Sequence, residues 1–582
     1  MASHHIKKSR WASILRLNIP ILLCVCAQFS HADDAKAALE TLRTWMNNNL
    51  RVSEETTPLS SETSGVCVIL RRNGILLGYG EAFGETENLL SEATTIAFKK
   101  VRKHPNVLKL PESVREHAFS LISIEVGVAG KCTPLPTKNI DKAAKKILQG
   151  VDAIAVRRGK KWDFRMPSQM RLSPNRKITN HLEGMCIKVG APAVESIAHQ
   201  FSNDEDITMY KVDFTSVYQQ ASGEKIQLLY RGDELITTSH LQQTGLQGVA
   251  DLLASHLIHS LWPSKEAIGI TGTYKPEVDR FDNIFAPLIP QAMAAEALWK
   301  YAQLPNSDYA VEAMSTYVQI LNDLAVVNVH ESPVTGVIEH SFIVLASTNE
   351  SRLSREALAM IADSKMQVVS AATEMVEETY VPKKALVKGV LSAAIAHLAK
   401  EDRTLLPLAE NVIKVSFTTT EEDDRASFVP WIVQASVDVS YLGGVIDTRE
   451  IRKLRIHALA SQIKDETIPD ALGGFSLKTI AGPVVDARGI RMLPMLAILL
   501  PETAFTSPGE RSSSLQSMLL TARYTSQLTT TPERANRFIN PTNAVGGVRN
   551  ATWDTTMKPE ATAMALIGIT EAIEAIYRVA NQ

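Results

Sequence analysis

The feature that most constrains this chain is a change of hydrophobic period near residue 220 of its 582 residues. Before it, apolar residues recur every second position, as in Thr208-Met-Tyr-Lys-Val-Asp-Phe-Thr-Ser-Val-Tyr218. After it, they recur every three to four. Strand side chains repeat with a period of two and helix side chains with 3.6, so the two halves cannot share one kind of core. The length also exceeds what a single core usually organises. The expected architecture is an α+β domain over 33–220 followed by a mostly α-helical domain over 221–582. Apolar content of 45% and charged content of 21% fit globular domains.

The first 32 residues read as a secretory signal peptide. Lys7, Lys8, Arg10 and Arg16 precede the short apolar run Asn18–Ala27, and Ser30-His31-Ala32 offers a small-x-small cleavage site. The run is too short for a stable membrane span; an uncleaved anchor is the alternative. Neither Cys24 nor Cys26 follows a small residue, so no lipoprotein signal is read. No later stretch has the apolar length of a membrane helix. The expected location is periplasmic or secreted. Asn349-Glu-Ser and Asn550-Ala-Thr are glycosylation-type sequons, so a eukaryotic secretory route stays open.

The chain carries 61 basic and 63 acidic residues, and loss of the leader removes four of the basic ones. The acidic excess lies in the second half, which argues against nucleic-acid binding there. Two basic runs, Lys99–Lys103 and Arg157–Lys161, read as solvated faces. Cys67, Cys132 and Cys186 are far apart and include no C-x-x-C pair, so no zinc site is expected. Buried free thiols are the first reading; one disulfide with one thiol left over is the alternative.

Local patterns give the elements. Residues 33–47 read as an amphipathic helix. Cys67–Glu81 reads as a hairpin around Asn73-Gly74, both of which tolerate the positive φ of a type I′ turn. Helices are expected over 89–102, 141–148 and 193–201, strands over 118–126 and 208–218, and a second hairpin around Gly159. In the second half, helices are expected over 246–261, 290–304, 309–322, 354–362, 383–399, 451–463, 513–527 and 559–579, with a β-like stretch at 435–441. The last helix is informative. Ala561, Ala565, Gly568, Ala572 and Ala575 form a small stripe beside the large Leu566, Ile569, Ile573 and Ile576. That apolar arc is too wide for a surface helix, so neighbours must cover it on more than one side.

Across 34–220 the order of pieces resembles the AMMECR domain family. The pieces are 65–78, Leu121–Val126, Gly150–Gly159, Arg165–Met170, Leu182–Ala191 and the strand ending at Tyr218. The family signature on the second hairpin strand is L-R-G-C-I-G. Here the aligned residues are Leu76, Leu77, Gly78, Tyr79, Gly80 and Glu81. Leucine and the first glycine remain, whereas Leu77 stands at the arginine position and Tyr79 at the cysteine position. Neither thiolate chemistry nor a guanidinium clamp is available from these residues. The resemblance therefore implies a degenerate module used for structure or binding.

The helical half resembles α/α-toroid proteins, the shape of terpenoid-cyclase-like repeats and many polysaccharide lyases and glycosidases. The residues behind this are Tyr441-Leu-Gly-Gly-Val445, Ala471-Leu-Gly-Gly-Phe475 and Val545-Gly-Gly-Val-Arg549. Glycine pairs permit tight turns and close chain approach. The D-x-D-D motif of some cyclases is absent from the sequence.

Three clusters could line a cavity in such a ring, because loops at helix starts would crowd one mouth. The first holds Tyr274, Asp279, Arg280 and Asp282; the second Asp486 and Arg488; the third Arg549, Trp553 and Asp554. Acids, arginines and aromatics suit sugar binding and glycosidic cleavage. Loop capping and solvated ion pairs are the plainer reading of each. His330-Glu331 and Glu339-His340 lack the i, i+4 spacing of a zinc helix, and His256 with His259 reads as a polar helix edge. No phosphate loop, dinucleotide fingerprint or nucleophile elbow occurs, so no cofactor or metal is expected. The expected function is binding or scaffolding of an unknown ligand, protein or glycan by a helical cavity. The alternative is a glycan-active lyase or hydrolase using Asp279, Asp282, Asp486 or Asp554.

Overall fold

A computed structural model describes residues 31–53, 59–84, 88–173, 177–191, 206–330, 334–479 and 482–582. The leader's core, Glu331 and the expected helix over 193–201 lie outside these residues. The chain divides into two units. One comprises Asn18–Leu235 with Glu533–Pro541; the other comprises Ile236–Pro532 with Thr542–Gln582, apart from a piece within the leader.

The first unit is built on the opening hairpin. Strands β1 (Gly65–Arg72) and β2 (Ile75–Phe83) pair antiparallel, with Ile69 opposite Tyr79 and Cys67 opposite Glu81. Asn73 and Gly74 take φ of 46° and 76°, as a type I′ turn requires. Further strands are β3 (Ser123–Pro134), β4 (Ala153–Arg158), β5 (Lys161–Arg165), β6 (Ile207–Gln219) and β7 (Gln227–Leu229). They form one antiparallel sheet in the order β2-β1-β3-β6-β4-β5, with β7 also on β6.

Alternation then assigns the faces. Val66, Val68 and Leu70 point to a core shared with Leu39, Leu42 and Trp45 of α1 (Ala32–Asn47) and Phe98 of α2 (Leu89–Lys103). Cys67, on the opposite face, packs with Phe164 and Met166. Helix α3 (Glu112–Ser120) takes part of the stretch expected as strand; its last turn buries Ala118 and Phe119, and the strand begins only at Ser123. Short alternating runs are ambiguous in this way, because a helix turn can bury neighbours too. Helices α4 (Ile140–Ala144), α5 (Pro167–Leu172) and α6 (Ile178–Lys188) complete the unit. Cys67, Cys132 and Cys186 are all unbonded thiols.

A distant segment closes this unit. Within Glu533–Pro541, Arg534 Nε lies 3.2 Å and Arg537 Nη1 3.1 Å from Asp233 Oδ1. The Arg537 guanidinium stacks 4.6 Å from the Tyr218 ring centre. Gly74 sits against the Phe538 backbone, where a Cβ would come within 1.3 Å of the carbonyl oxygen.

The second unit alternates two sets of helices along the chain. The first set is α7 (Thr238–His259, interrupted at Gly245), α9 (Ala310–His330), α11 (Arg355–Val376), α13 (Leu406–Thr418), α15 (Thr448–Ala460) and α17 (Arg511–Leu528). The second set is α8 (Leu288–Ala302), α10 (Val337–Ala346), α12 (Ala385–Glu401), α14 (Trp431–Tyr441), α16 (Met492–Leu499) and α18 (Pro559–Ala580). Members of the second set pack on one another in chain order, and α18 packs back on α8. First-set helices lie against them, α9 on α8 and α13 on α12 for example.

Helices α10, α13 and α16 fall where no helix was expected. The β-like stretch at 435–441 is corrected to helix α14. Ala435, Ser436, Val437, Asp438 and Val439 are buried in succession, so α14 has no polar face to reveal a helical period. The last helix is covered as its sequence implied: residues Pro559 to Thr570 are buried apart from Glu560. A Cβ on Gly568 would lie 3.0 Å from Pro494 and 3.1 Å from Leu493 of α16.

Asp233 pairs with both Arg534 and Arg537; Asp233 and Arg534 are buried and Arg537 is largely covered. Asp233→Ala should therefore lower the unfolding free energy of the sheet unit by about 3–5 kcal/mol, the usual cost of orphaning buried charge. Urea denaturation followed in this unit checks it; a loss below about 1 kcal/mol contradicts the closing role of the segment.

Candidate functional site

The three loop clusters meet. The hairpin β8 (Tyr274–Lys275) and β9 (Arg280–Phe281) leads into α8, Asp486–Arg488 leads into α16, and Arg549–Asp554 leads into α18. Tyr274 and Met557 exchange backbone hydrogen bonds of 2.9 Å in both directions, and Arg549 bridges to Met557 as well. The Ala487 N–H donates to Asn550 O at 2.8 Å.

Each charged group in these loops is occupied locally. Asp279 Oδ1 accepts from Tyr274 Oη at 2.8 Å. Asp282 pairs with Lys275 at 2.8 Å and Arg280 at 3.5 Å, and the Lys275 hydrogen bond holds its carboxyl below the usual range. Asp486 caps the following turn through the Arg488 N–H at 3.0 Å and binds the Arg488 guanidinium at 2.8 Å. Asp554 accepts from Asn550 Nδ2 at 2.8 Å and Thr556 N at 3.1 Å. Arg549 is buried and donates to Gln527 O and Leu528 O. Trp553 is half-buried. The loops are thus brought together by backbone pairing, while their acids cap turns and close ion pairs. His256 is likewise internal: its Nδ1 lies 2.9 Å from Val545 O, and burial pushes its imidazole down to about 4.

A second site lies between the second-set helices, and no sequence motif marked it. A cavity of about 30 Å³ is lined by Glu296 of α8, Leu345 of α10, Ala393 of α12, Trp431 of α14, Pro494 of α16 and Glu571 of α18. Every second-set helix contributes to it. Lys300 and Gln434 add polar groups, and Met293, Ile498, Met564 and Ile567 add apolar wall. Lys300 Nζ is 2.5 Å from Glu571 Oε1. Burial alone would lower the Lys300 ammonium, but Glu571 and Glu296 outweigh it and hold it charged. Burial pushes the Glu296 carboxyl up to about 7, with Lys300 opposing and Glu571 adding to the rise. One cavity thus holds a closed ion pair beside a carboxyl poised to change charge near neutrality. The signal available in sequence was only Glu296 and Lys300 at i, i+4 on an alanine-rich helix, which reads as an ordinary surface pair.

The degenerate hairpin motif has its own geometry. A Cβ on Gly80 would come within 1.9 Å of Ala93 O, and one on Gly78 within 2.5 Å of Ala97 O, both on α2. These glycines let strand and helix approach, so their presence needs no chemical role. Leu77 is buried and Leu76 exposed. Tyr79 donates to the Glu81 carboxylate, which also accepts from Gln169 Nε2 at 3.3 Å. The nearby Cys67 thiol is fully buried and pushed up to about 12 by desolvation, then by Glu125. An acidic, enclosed setting suppresses a thiolate.

Two expectations follow. Between about 4.5 and about 7 the native state keeps a proton on Glu296 that the unfolded chain has released. Stability should fall as pH rises through that window, by up to about 3 kcal/mol. Glu296→Gln should flatten this fall and raise the Tm measured at about pH 8; an unchanged slope contradicts the assignment. Tyr79→Cys should give a thiol that iodoacetamide labels at neutral pH no faster than free cysteine, and faster labelling would show a site still built for thiolate chemistry.

No family model matches the chain, and no curated protein matches it. Among solved structures, the crystal structure of an uncharacterized protein, PH0010, from Pyrococcus horikoshii matches with 19% identity. The match covers 34% of this chain and 94% of that one, with a TM-score of 0.24. Among the described residues, no helix is long and apolar enough to cross a membrane.

Proposed function

We propose that the chain is an exported two-domain binding or scaffold protein. Its first unit is an AMMECR-like module without the family's reactive side chains. Its second unit is an α/α toroid, with α8, α10, α12, α14, α16 and α18 as the inner ring, and the ligand enters the centre of that ring. The toroid reading is supported by neighbours that return to their start, α18 on α8, and by the alternation of first-set and second-set helices along the chain. The observation that carries the binding reading is a single cavity to which every inner helix gives a side chain.

The glycan-active reading keeps one support. Glu296 near neutrality beside an ionised Glu571 resembles the acid and carboxylate of glycoside hydrolysis. Size weighs against it: about 30 Å³ is far below the roughly 300 Å³ where pockets for whole small molecules begin. The sequence-derived acids weigh against it too, since Asp279, Asp282, Asp486 and Asp554 each serve a local bond.

Thermal shift of the purified full chain against oligosaccharides, isoprenoid lipids, small organic ions and divalent metals tests the proposal. A ligand at 100 times its Kd should stabilise by about 2.7 kcal/mol. The shift should vanish in Ala393→Leu, which fills the cavity, and persist in Asp554→Ala. An oligosaccharide shift lost in Asp554→Ala, with cleavage of the sugar, would replace binding by glycan chemistry. N-terminal sequencing of exported protein should begin at Asp33.

A further inference from the structure

We propose that the central cavity of the helical unit binds a small organic ammonium ion, with Glu296 as its counter-ion and Trp431 within the wall around its carbon chain. This rests on the reading of that cavity as the ligand site and names the chemistry it selects.

The charge balance comes first. Lys300 and Glu571 neutralise each other at 2.5 Å. Lys400 of α12, which faces Glu296 from farther off, is closed against Asp438 of α14 at 2.8 Å. Gln434 donates to that same Asp438 at 2.9 Å. From α10 and α16 the cavity receives only Leu345, Pro494 and Ile498, none titratable, and α7 and α9 give it no side chain. Glu574, three residues beyond Glu571 on α18, is exposed and acts on Lys300 without lining the cavity. Ionised Glu296 is therefore left with no hydrogen bond or ion pair among the described residues, and the cavity carries one uncompensated negative charge. One monovalent cation cancels it.

The wall then decides which cation. A hard metal ion takes six or more oxygen ligands, or in the case of magnesium an octahedron of carboxylates and water. Among the described residues no group of three or more His, Cys, Asp or Glu side chains could hold a metal ion. One carboxylate in an apolar wall with an indole suits an ammonium head and its first methylenes instead, since aromatic faces attract organic cations. Trp431 is held by an edge contact with Phe342, 5.5 Å between ring centres at 85°. The volume of about 30 Å³, on the scale of one or two waters, takes an ammonium head and excludes a ring, so the carbon chain would lead outward along the wall.

The probe is n-butylammonium chloride, added to the full chain and followed by thermal shift and calorimetry, with n-butanol and sodium chloride as controls. Butylammonium should raise the Tm at about pH 8 while the controls do not. Affinity should fall roughly thirtyfold by about pH 5.5, where a carboxyl with its midpoint at about 7 is protonated. Glu296→Gln and, independently, Ala393→Leu should abolish the shift. An equal shift in Glu296→Gln, or an affinity unchanged with pH, overturns the ammonium assignment. A butanol shift lost in Ala393→Leu would keep the cavity as ligand site and overturn its cation preference. No shift from butylammonium overturns the assignment, and no shift from any ligand class overturns the cavity reading with it.

Discussion

Close approach between helix backbones is the constraint on which the helical unit depends. Along α18, Gly568 lets Pro494 and Leu493 come as near as side chains allow. On α8, Ala292, Ala294, Ala295 and Ala297 are fully buried, as are Ala394, Ala396 and Ala399 on α12. Small residues bring the second-set helices together and leave a narrow, mostly apolar centre. The glycine pairs serve the same end at the loops. Gly473 and Gly546 adopt φ of 86° and 77°, and a Cβ on either would lie about 2 Å from a carbonyl oxygen of Leu520 or Leu252. The small cavity and the raised carboxyl of Glu296 both sit in that tight centre.

Two enclosed carboxylates show how partners decide charge. Glu125 in the sheet unit accepts from Ser168 at 2.8 Å and Arg171 at 2.6 Å, with Arg71 at 3.6 Å. Burial would raise its carboxyl, but Arg171 and Arg71 outweigh that and hold it below the usual range. It is a permanent anion and a structural one. Glu296 also meets a burial cost, but of the two lysines that act on it Lys300 is claimed by Glu571 and Lys400 by Asp438. Its charge is therefore negotiable, which structural carboxylates seldom are.

Much of the sheet unit was legible because its signals are local. Asn73-Gly74 fixes a turn by backbone preference, and the alternation of 208–218 survives because the two sheet faces meet different cores, with Met209 in one and Val212 in another. The interior helices were harder. Helices α10 and α16 are buried nearly all round, so no polar stripe marks their period. Residues 435–441 imitated a strand for the same reason. Of the site, the loop clusters were legible as clusters, since acids, arginines and glycines stand out in sequence. Their meeting through Tyr274, Met557, Asn550 and Ala487 rests on backbone bonds that no side chain announces. Glu296 gave no signal because its significance lies in what surrounds it: Trp431 and Glu571 lie 135 and 275 residues along the chain. The closing segment around Arg537 was hidden likewise, its partner Asp233 lying 304 residues away.

The most direct test of the central claim is the labelling of Ala393→Cys by methanethiosulfonate reagents, located by mass spectrometry. The account predicts that a cationic aminoethyl reagent labels this cavity position faster than an anionic sulfonatoethyl one at about pH 8, and that Glu296→Gln removes the difference. Equal rates for the two reagents, or no labelling by either, would contradict a ligand-accessible, cation-selecting cavity at the centre of the helical unit.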